Sequence, residues 1–274
     1  IVNKFRGDRA ILESGLKTLE ELCSVPVAGV IPYTHADIDD EDSLTERFNK
    51  SAERKLIDIA VIRLPRISNF TDFSPFERYG NVSLRYVDSV AELYRPDIII
   101  LPGTKSTIAD LKWLRQCGLE AAVHKAANSG TLVFGVCGGY QMLGRTVSDP
   151  EQVEAAGVAE ILGMGLLETD TVFLGEKVQS QTSGVFSGIG GMLSGLNGMR
   201  YSGYEIHMGR SEAEMPALAG AGNVYGSYVH GIFDTPGISD TILKAVCTKK
   251  GIDFNALDTF DVSEYKERQY DMLL

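Results

Sequence analysis

Phe134-Gly135-Val136-Cys137-Gly138-Gly139-Tyr140-Gln141 is the stretch from which the fold can be read. Thr131–Val136 enters it as a buried apolar strand, and Gly138–Gly144 leaves it as the start of a helix. A strand that runs into a helix through one cysteine set among glycines is the cysteine counterpart of a nucleophile elbow. The tight turn strains the backbone and lifts the side chain out at the C-terminal edge of a sheet. Glycine on both sides removes the Cβ atoms that would clash. The helix N-terminus aims unpaired N–H groups and positive dipole charge at the sulfur, which favours the reactive thiolate. The same N–H groups, chiefly that of Gly138, are placed to stabilise an oxyanion. A free cysteine more often only packs, and that plain reading holds for Cys23, Cys117 and Cys247. The elbow reverses it for Cys137.

Apolar strands and helices alternate around the elbow. Ile57–Leu64, Val82–Val87 and Asp97–Leu101 read as strands, and Ile108–Gln116 and Leu119–Asn128 as helices. This pattern predicts an α/β fold, a parallel sheet flanked by helices on both faces. Upstream, Ala10–Leu22 reads as an amphipathic helix, Val27–Ile31 as a short strand stopped by Pro32, and Ser43–Arg54 as a helix leading out of a first unit. Beyond about Gly163 the pattern changes. Glycine is dense from Gly184 to Gly203, which predicts short strands in added β-hairpins and turns. Val224–Val229 reads as a late strand and Ser239–Lys249 as a closing helix. The organisation expected is a first piece over 1–50, a complete α/β domain over 51–250 and a C-terminal tail over 251–274. The opening Ile1-Val2-Asn3-Lys4 reads as a strand already under way, so the sequence is expected to be a piece of a longer protein.

With 44% hydrophobic and 23% charged residues, the composition is that of an ordinary globular protein. No apolar run approaches the ~20 residues that span a bilayer. The N-terminus carries no basic segment followed by an apolar one. A cytoplasmic protein without a membrane partner is therefore expected. The net charge of −11 argues against a nucleic-acid partner, since phosphates demand a positive surface. The acidic cluster Asp37, Asp39, Asp40, Glu41 and Asp42 reads as a solvated loop. The four cysteines show no CxxC pairing, so reduced thiols are expected, with neither a disulfide framework nor a metal site.

A cysteine nucleophile needs a base. Of the four histidines, His124 falls on a helix surface and His35 in the acidic loop, which leaves His207 and His230. His230 ends the late strand and precedes Gly231, a placement that fits the active edge of a parallel sheet.

Gly135-Val136-Cys137-Gly138-Gly139-Tyr140-Gln141-Met142-Leu143-Gly144 resembles the nucleophile motif of class I (triad) glutamine amidotransferases, which have a flavodoxin-like fold. Gly226-Ser227-Tyr228-Val229-His230-Gly231 and Tyr204-Glu205-Ile206-His207-Met208-Gly209 resemble stretches of the cobalamin-pathway subgroup. Leu101-Pro102-Gly103-Thr104-Lys105-Ser106-Thr107 resembles its loop facing the cysteine. Leu64-Pro65-Arg66-Ile67-Ser68-Asn69-Phe70-Thr71-Asp72-Phe73 and Asn3-Lys4-Phe5-Arg6-Gly7-Asp8 resemble the cobyric acid synthase family. The resemblance implies a two-part enzyme. One half hydrolyses glutamine to glutamate and ammonia. The other, with ATP and magnesium, activates carboxylates b, d, e and g of adenosylcobyrinic acid a,c-diamide for amidation. Residues 1–50 would be the end of that synthetase domain, whose N-terminal part is missing here. The sequence has no G-x-x-x-x-G-K-[ST] phosphate loop, so no cofactor is expected on this piece.

By the same resemblance Cys137 attacks the glutamine carboxamide, His230 is the base, and the N–H groups of Gly103 and Gly138 form the oxyanion hole. Tyr140 and Gln141 shape the glutamine pocket, and Asn3 and Tyr33 lie at a nucleotide edge. The wider superfamily carries a glutamate two residues after the histidine, where this sequence has Ile232. A Cys–His dyad is therefore expected, with Glu205 and His207 as substitutes for a third member or as substrate-facing residues. The rival readings are the amidotransferase half of cobyrinic acid a,c-diamide synthase, a peptidoglycan-amidating subunit, a cysteine hydrolase of the same superfold and a non-catalytic scaffold.

Overall fold

The computed structural model describes residues 1–33, 54–154, 157, 159–211, 216–258, 267 and 270–271. The chain divides into two compact units, Ile1–Asp39 with Asp261–Leu274, and Asp40–Phe260.

In the smaller unit, β1 (Val2–Phe5), α1 (Arg9–Cys23) and β2 (Val30–Pro32) form a β–α–β turn with the two strands parallel. Asp8 caps α1 by accepting the N–H of Ala10, which satisfies one otherwise orphaned donor of the first turn. Ser24 ends the helix in the left-handed region. The strand expected to stop before Pro32 takes in the proline as its last residue. Residues 43–53 of the expected second helix, the acidic cluster and His35 lie outside the described residues, and Arg54 is not helical.

The larger unit contains, in order, β3 (Ile57–Ile62), β4 (Ile67–Ser68), β5 (Val82–Val87), α2 (Val90–Leu93), β6 (Ile98–Leu101), β7 (Gly103–Thr104), α3 (Thr107–Gln116), α4 (Leu119–Asn128), β8 (Leu132–Val136) and α5 (Gly138–Leu143). Then follow β9 (Thr146–Ser148), β10 (Glu160–Leu162), β11 (Asp170–Val185), β12 (Arg200–Arg210), β13 (Ala219–Ala221), β14 (Val224–Ser227) and α6 (Ile238–Lys250). The main sheet runs β13-β14-β8-β6-β3-β5. Its last five members are mutually parallel, and β13 is an antiparallel edge. Counted along the chain, those five strands have the order 2-1-3-4-5, which is the flavodoxin-like arrangement.

Side chains alternate across a strand, and the apolar strands bury both faces. Ile57, Ile59, Ile98, Ile100, Leu132 and Phe134 face one core, closed by Phe73, Phe76 and Phe233 with Leu243 of α6. Ala60, Ile62, Ile99, Leu101 and Val133 face the other, closed by α3, α4 and α5. At the sheet edge Arg85 donates to both carboxylate oxygens of Asp58 at 2.8 Å, a buried bidentate pair.

The glycine-dense segment forms the expected added hairpin, with turn glycines Gly188, Gly191 and Gly198 at positive φ, but its strands are long. Instead of short strands, β11 has 16 residues and β12 has 11, paired antiparallel over most of their length. They join β9 and β10 in a second, four-stranded sheet. Gly203 on β12 is there for close approach, because a Cβ at that position would stand 2.2 Å from the carbonyl oxygen of His230. At the C-terminal end, residues 251–258 pack within the larger unit: the N–H of Gly80 donates to Asp258 O (2.7 Å) and Leu257 is buried.

Candidate functional site

Cys137 stands between β8 and α5 with φ 51° and ψ −109°, a conformation that costs a non-glycine residue on the order of 1–3 kcal/mol and clusters at functional sites. Two backbone bonds hold it: its N–H donates to Ser227 O (2.8 Å) and its carbonyl accepts from the N–H of Gln141 (3.0 Å). Gly139 lets the elbow pack onto the neighbouring strand, since a Cβ there would come within 2.0 Å of Leu101 O. The sulfur lies 3.7 Å from Ile206 O on β12.

His230 follows β14 and is 1% exposed. Its Nδ1 lies 2.7 Å from Asp72 Oδ2, and the other carboxylate oxygen accepts the N–H of Gly231 at 3.1 Å. Asp72 is itself buried, in the nine-residue 3-10 helix Phe70–Arg78 that follows β4. The Tyr204 ring stacks on the imidazole, with centroids 5.3 Å apart, and its hydroxyl accepts from Asn69 Nδ2 at 2.7 Å. Tyr204 and His230 also exchange both backbone hydrogen bonds. Burial works against a charged His230, but the hydrogen bond to Asp72 and the nearby Cys137 sulfur outweigh it and push the imidazole up to about 10. Asp72 fixes the tautomer: the Nδ1 proton points at the carboxylate and Nε2 is left for the sulfur.

A cavity of about 480 Å³ opens over Cys137 and Gly138. Gln141 and His207 lie on its wall. Gln141 is buried and fixed at both ends: Thr107 Oγ1 donates to its Oε1 (2.8 Å), and its Nε2 donates to the Tyr228 hydroxyl (3.3 Å). His207 stacks on Tyr228 at 4.0 Å, with Nδ1 2.7 Å from Gly209 O and Nε2 3.3 Å from Glu205 Oε2. Tyr140, expected to shape the pocket, stands behind it, 1% exposed and edge-on to Tyr228.

The structure thus gathers Cys137, His230, Gly103, Gly138, Gln141 and His207 in one place. Gly103 lies against His230, where a Cβ would be 3.1 Å from the imidazole Cε1. Its neighbour Thr104 lies against Gly138. Glu205 partners His207, and the carboxylate on His230 is Asp72. A dyad without an orienting carboxylate is therefore not what the geometry presents. The signal for Asp72 was in the sequence: one acid placed among Phe70, Phe73 and Phe76.

Asn3 and Tyr33 lie in the smaller unit. Asn3 Oδ1 accepts the N–H of Lys4, and the Tyr33 ring lies 3.9 Å beneath the Arg6 guanidinium. Among the described residues no group of His, Cys, Asp and Glu could hold a metal ion, and no helix is long and apolar enough to cross a membrane.

The model of the CobB/CobQ-like glutamine amidotransferase domain matches residues 58–237. Cobyric acid synthase of Lachnoclostridium phytofermentans is 50% identical over all of this chain and 58% of its own length. That of Ruminiclostridium cellulolyticum is 49% identical over all of this chain and 56% of its own. The chain thus spans a little over half the length of these relatives. Among solved structures, PurLQS from Thermotoga maritima superposes with a TM-score of 0.48 at 18% identity, covering 69% of this chain and 98% of that one.

Proposed function

For a chain that belongs to the CobB/CobQ-like glutamine amidotransferase domain family, we propose that the cavity over Cys137 hydrolyses glutamine and that the ammonia amidates a corrinoid. The observation that carries this reading is the line Asp72–His230–Cys137, with the sulfur on a strained turn at the floor of the cavity. The Cys137 thiolate attacks the carboxamide carbon and the N–H groups of Gly138 and Gly103 receive the oxyanion. The His230 imidazolium protonates departing ammonia, leaving a glutamyl thioester on Cys137. The neutral imidazole then takes a proton from water, which opens the thioester to glutamate. Asp72 keeps Nε2 aimed at the sulfur throughout.

The ammonia would serve an ATP- and magnesium-dependent synthetase half of the longer protein, amidating carboxylates b, d, e and g of adenosylcobyrinic acid a,c-diamide in cobalamin biosynthesis. The names of the relatives support that acceptor. No phosphate-activating step is assigned to the residues of this chain. The test is amidation by the full-length protein with either glutamine or ammonium as nitrogen source. Cys137→Ala is expected to abolish the glutamine-dependent reaction and to leave the ammonium-dependent one intact. Loss of neither would remove Cys137 from the reaction. Loss of both would remove the division into two halves.

A further inference from the structure

The cavity contains a carboxylate to which hydrolysis of an amide assigns no task. Glu154 lines it together with Cys137, Gly138 and Gln141. Its position is built. Asp149, 0% exposed, accepts the N–H groups of Val153 (2.8 Å) and Glu154 (3.0 Å) and so fixes the turn. The Glu154 side chain then reaches the start of α3, where one oxygen accepts the N–H of Thr107 and the other that of Ile108 at 2.9 Å. Thr107 in turn holds Gln141. Desolvation raises the Glu154 carboxyl above its ordinary value, and the two backbone donors pull it back. Among the described residues no lysine, arginine or histidine pairs with it. A carboxylate has about four lone-pair sites, and the two N–H groups take two of them. A negative group held out of water without a counter-cation gains from any cation brought to it.

We infer that Glu154 binds the α-ammonium group of free glutamine while the carboxamide lies at Cys137. The inference rests on the glutamine reading of the cavity and extends it to the other end of the substrate. Lys105 and Lys177, exposed side chains that also line the cavity, carry the opposite charge to glutamine's α-carboxylate. The site is then specific for the free amino acid, because a glutamine inside a peptide has no ammonium to offer.

The test compares glutamine with glutaramic acid, which keeps the carboxamide and the carboxylate and lacks the α-amino group. In the full-length protein kcat/KM for glutamine should exceed that for glutaramic acid by about 10- to 100-fold, the range of a charge-assisted hydrogen bond. Glu154→Gln should bring the ratio towards one, mostly through a higher KM for glutamine. A loosened α3 would slow both substrates and leave the ratio unchanged, so the ratio separates recognition from capping. Equal rates in the unmodified protein would overturn the inference, as would an undiminished ratio in Glu154→Gln. A fall in KM would do so too, because it would mean that Glu154 occupies the place of the substrate carboxylate. If the unmodified protein hydrolyses neither compound and glutamine does not protect Cys137 from iodoacetamide, the glutamine reading itself fails.

Discussion

Replacing Asp72 by asparagine keeps the shape of the side chain and removes its charge. The rise of His230 from 6.5 to about 10 corresponds to roughly 5 kcal/mol in favour of the imidazolium. Asp72 and Cys137 supply that preference together against the effect of burial. A hydrogen bond to a charged group accounts for about 1.5–3 kcal/mol of it, or about 10- to 150-fold in rate. The asparagine also changes the tautomer. If its amide N–H faces Nδ1, the ring proton moves to Nε2, where it no longer accepts from the thiol. The equivalent change in a serine protease triad lowers kcat by about 10⁴-fold. The expectation for Asp72→Asn is therefore a fall in glutaminase kcat of about 10²- to 10⁴-fold, with little change in KM. The pH profile supplies a second readout. Activity needs the imidazolium as the acid for departing ammonia, so the alkaline limb of the unmodified protein lies towards pH 10. Without Asp72 it moves to lower pH. Ammonia release in a coupled assay, from pH 6 to 10, measures both. A variant that is folded, keeps more than about a third of kcat and shows the same alkaline limb would refute the role given to Asp72.

Three further outcomes follow from the packing. Gly139→Ala brings a methyl group within 2.0 Å of Leu101 O, and the elbow has no room to move; a loss of about 3 kcal/mol or more is expected in urea denaturation. Arg85→Met leaves Asp58 a buried carboxylate without its cation, for an expected loss of about 3–5 kcal/mol, read as a fall in Tm with the Cys137 site still reactive. Because His230 has a higher value folded than unfolded, its contribution to stability is complete below about pH 6.5 and is lost as pH rises through about 10. The urea midpoint should therefore fall from pH 6.5 to 10, and by less in His230→Gln.

How legible each feature was depended on how local its cause is. The five parallel strands show in the sequence because each is an apolar run bounded by turn residues. The elbow shows because strand, cysteine and glycines are contiguous. Between 184 and 203 glycine marks the turns at Gly188, Gly191 and Gly198, but not where the strands on either side end. Gly184 and Gly203 lie within long strands, the first under the Tyr201 ring and the second against the His230 carbonyl. They serve close packing there, and local pattern reads them as turns. Tyr140 sits in the nucleophile motif yet faces the core, because the residue after the two glycines points under the helix towards Tyr228. The role of Asp72 is not local, because it meets His230 across 158 positions of sequence. Only the chain's path from β3 through Asn69, in a left-handed conformation, brings it to the imidazole. The pairing of Glu154 with the start of α3 is non-local in the same way.

The most direct test of the central claim is covalent labelling with a diazoketone analogue of glutamine, with the adduct located by mass spectrometry. The account predicts one adduct, on Cys137, prevented by excess glutamine, slowed in His230→Ala and absent in Cys137→Ala. An unlabelled Cys137 in a full-length protein that turns over glutamine, or an adduct shared among Cys23, Cys117 and Cys247, would contradict it.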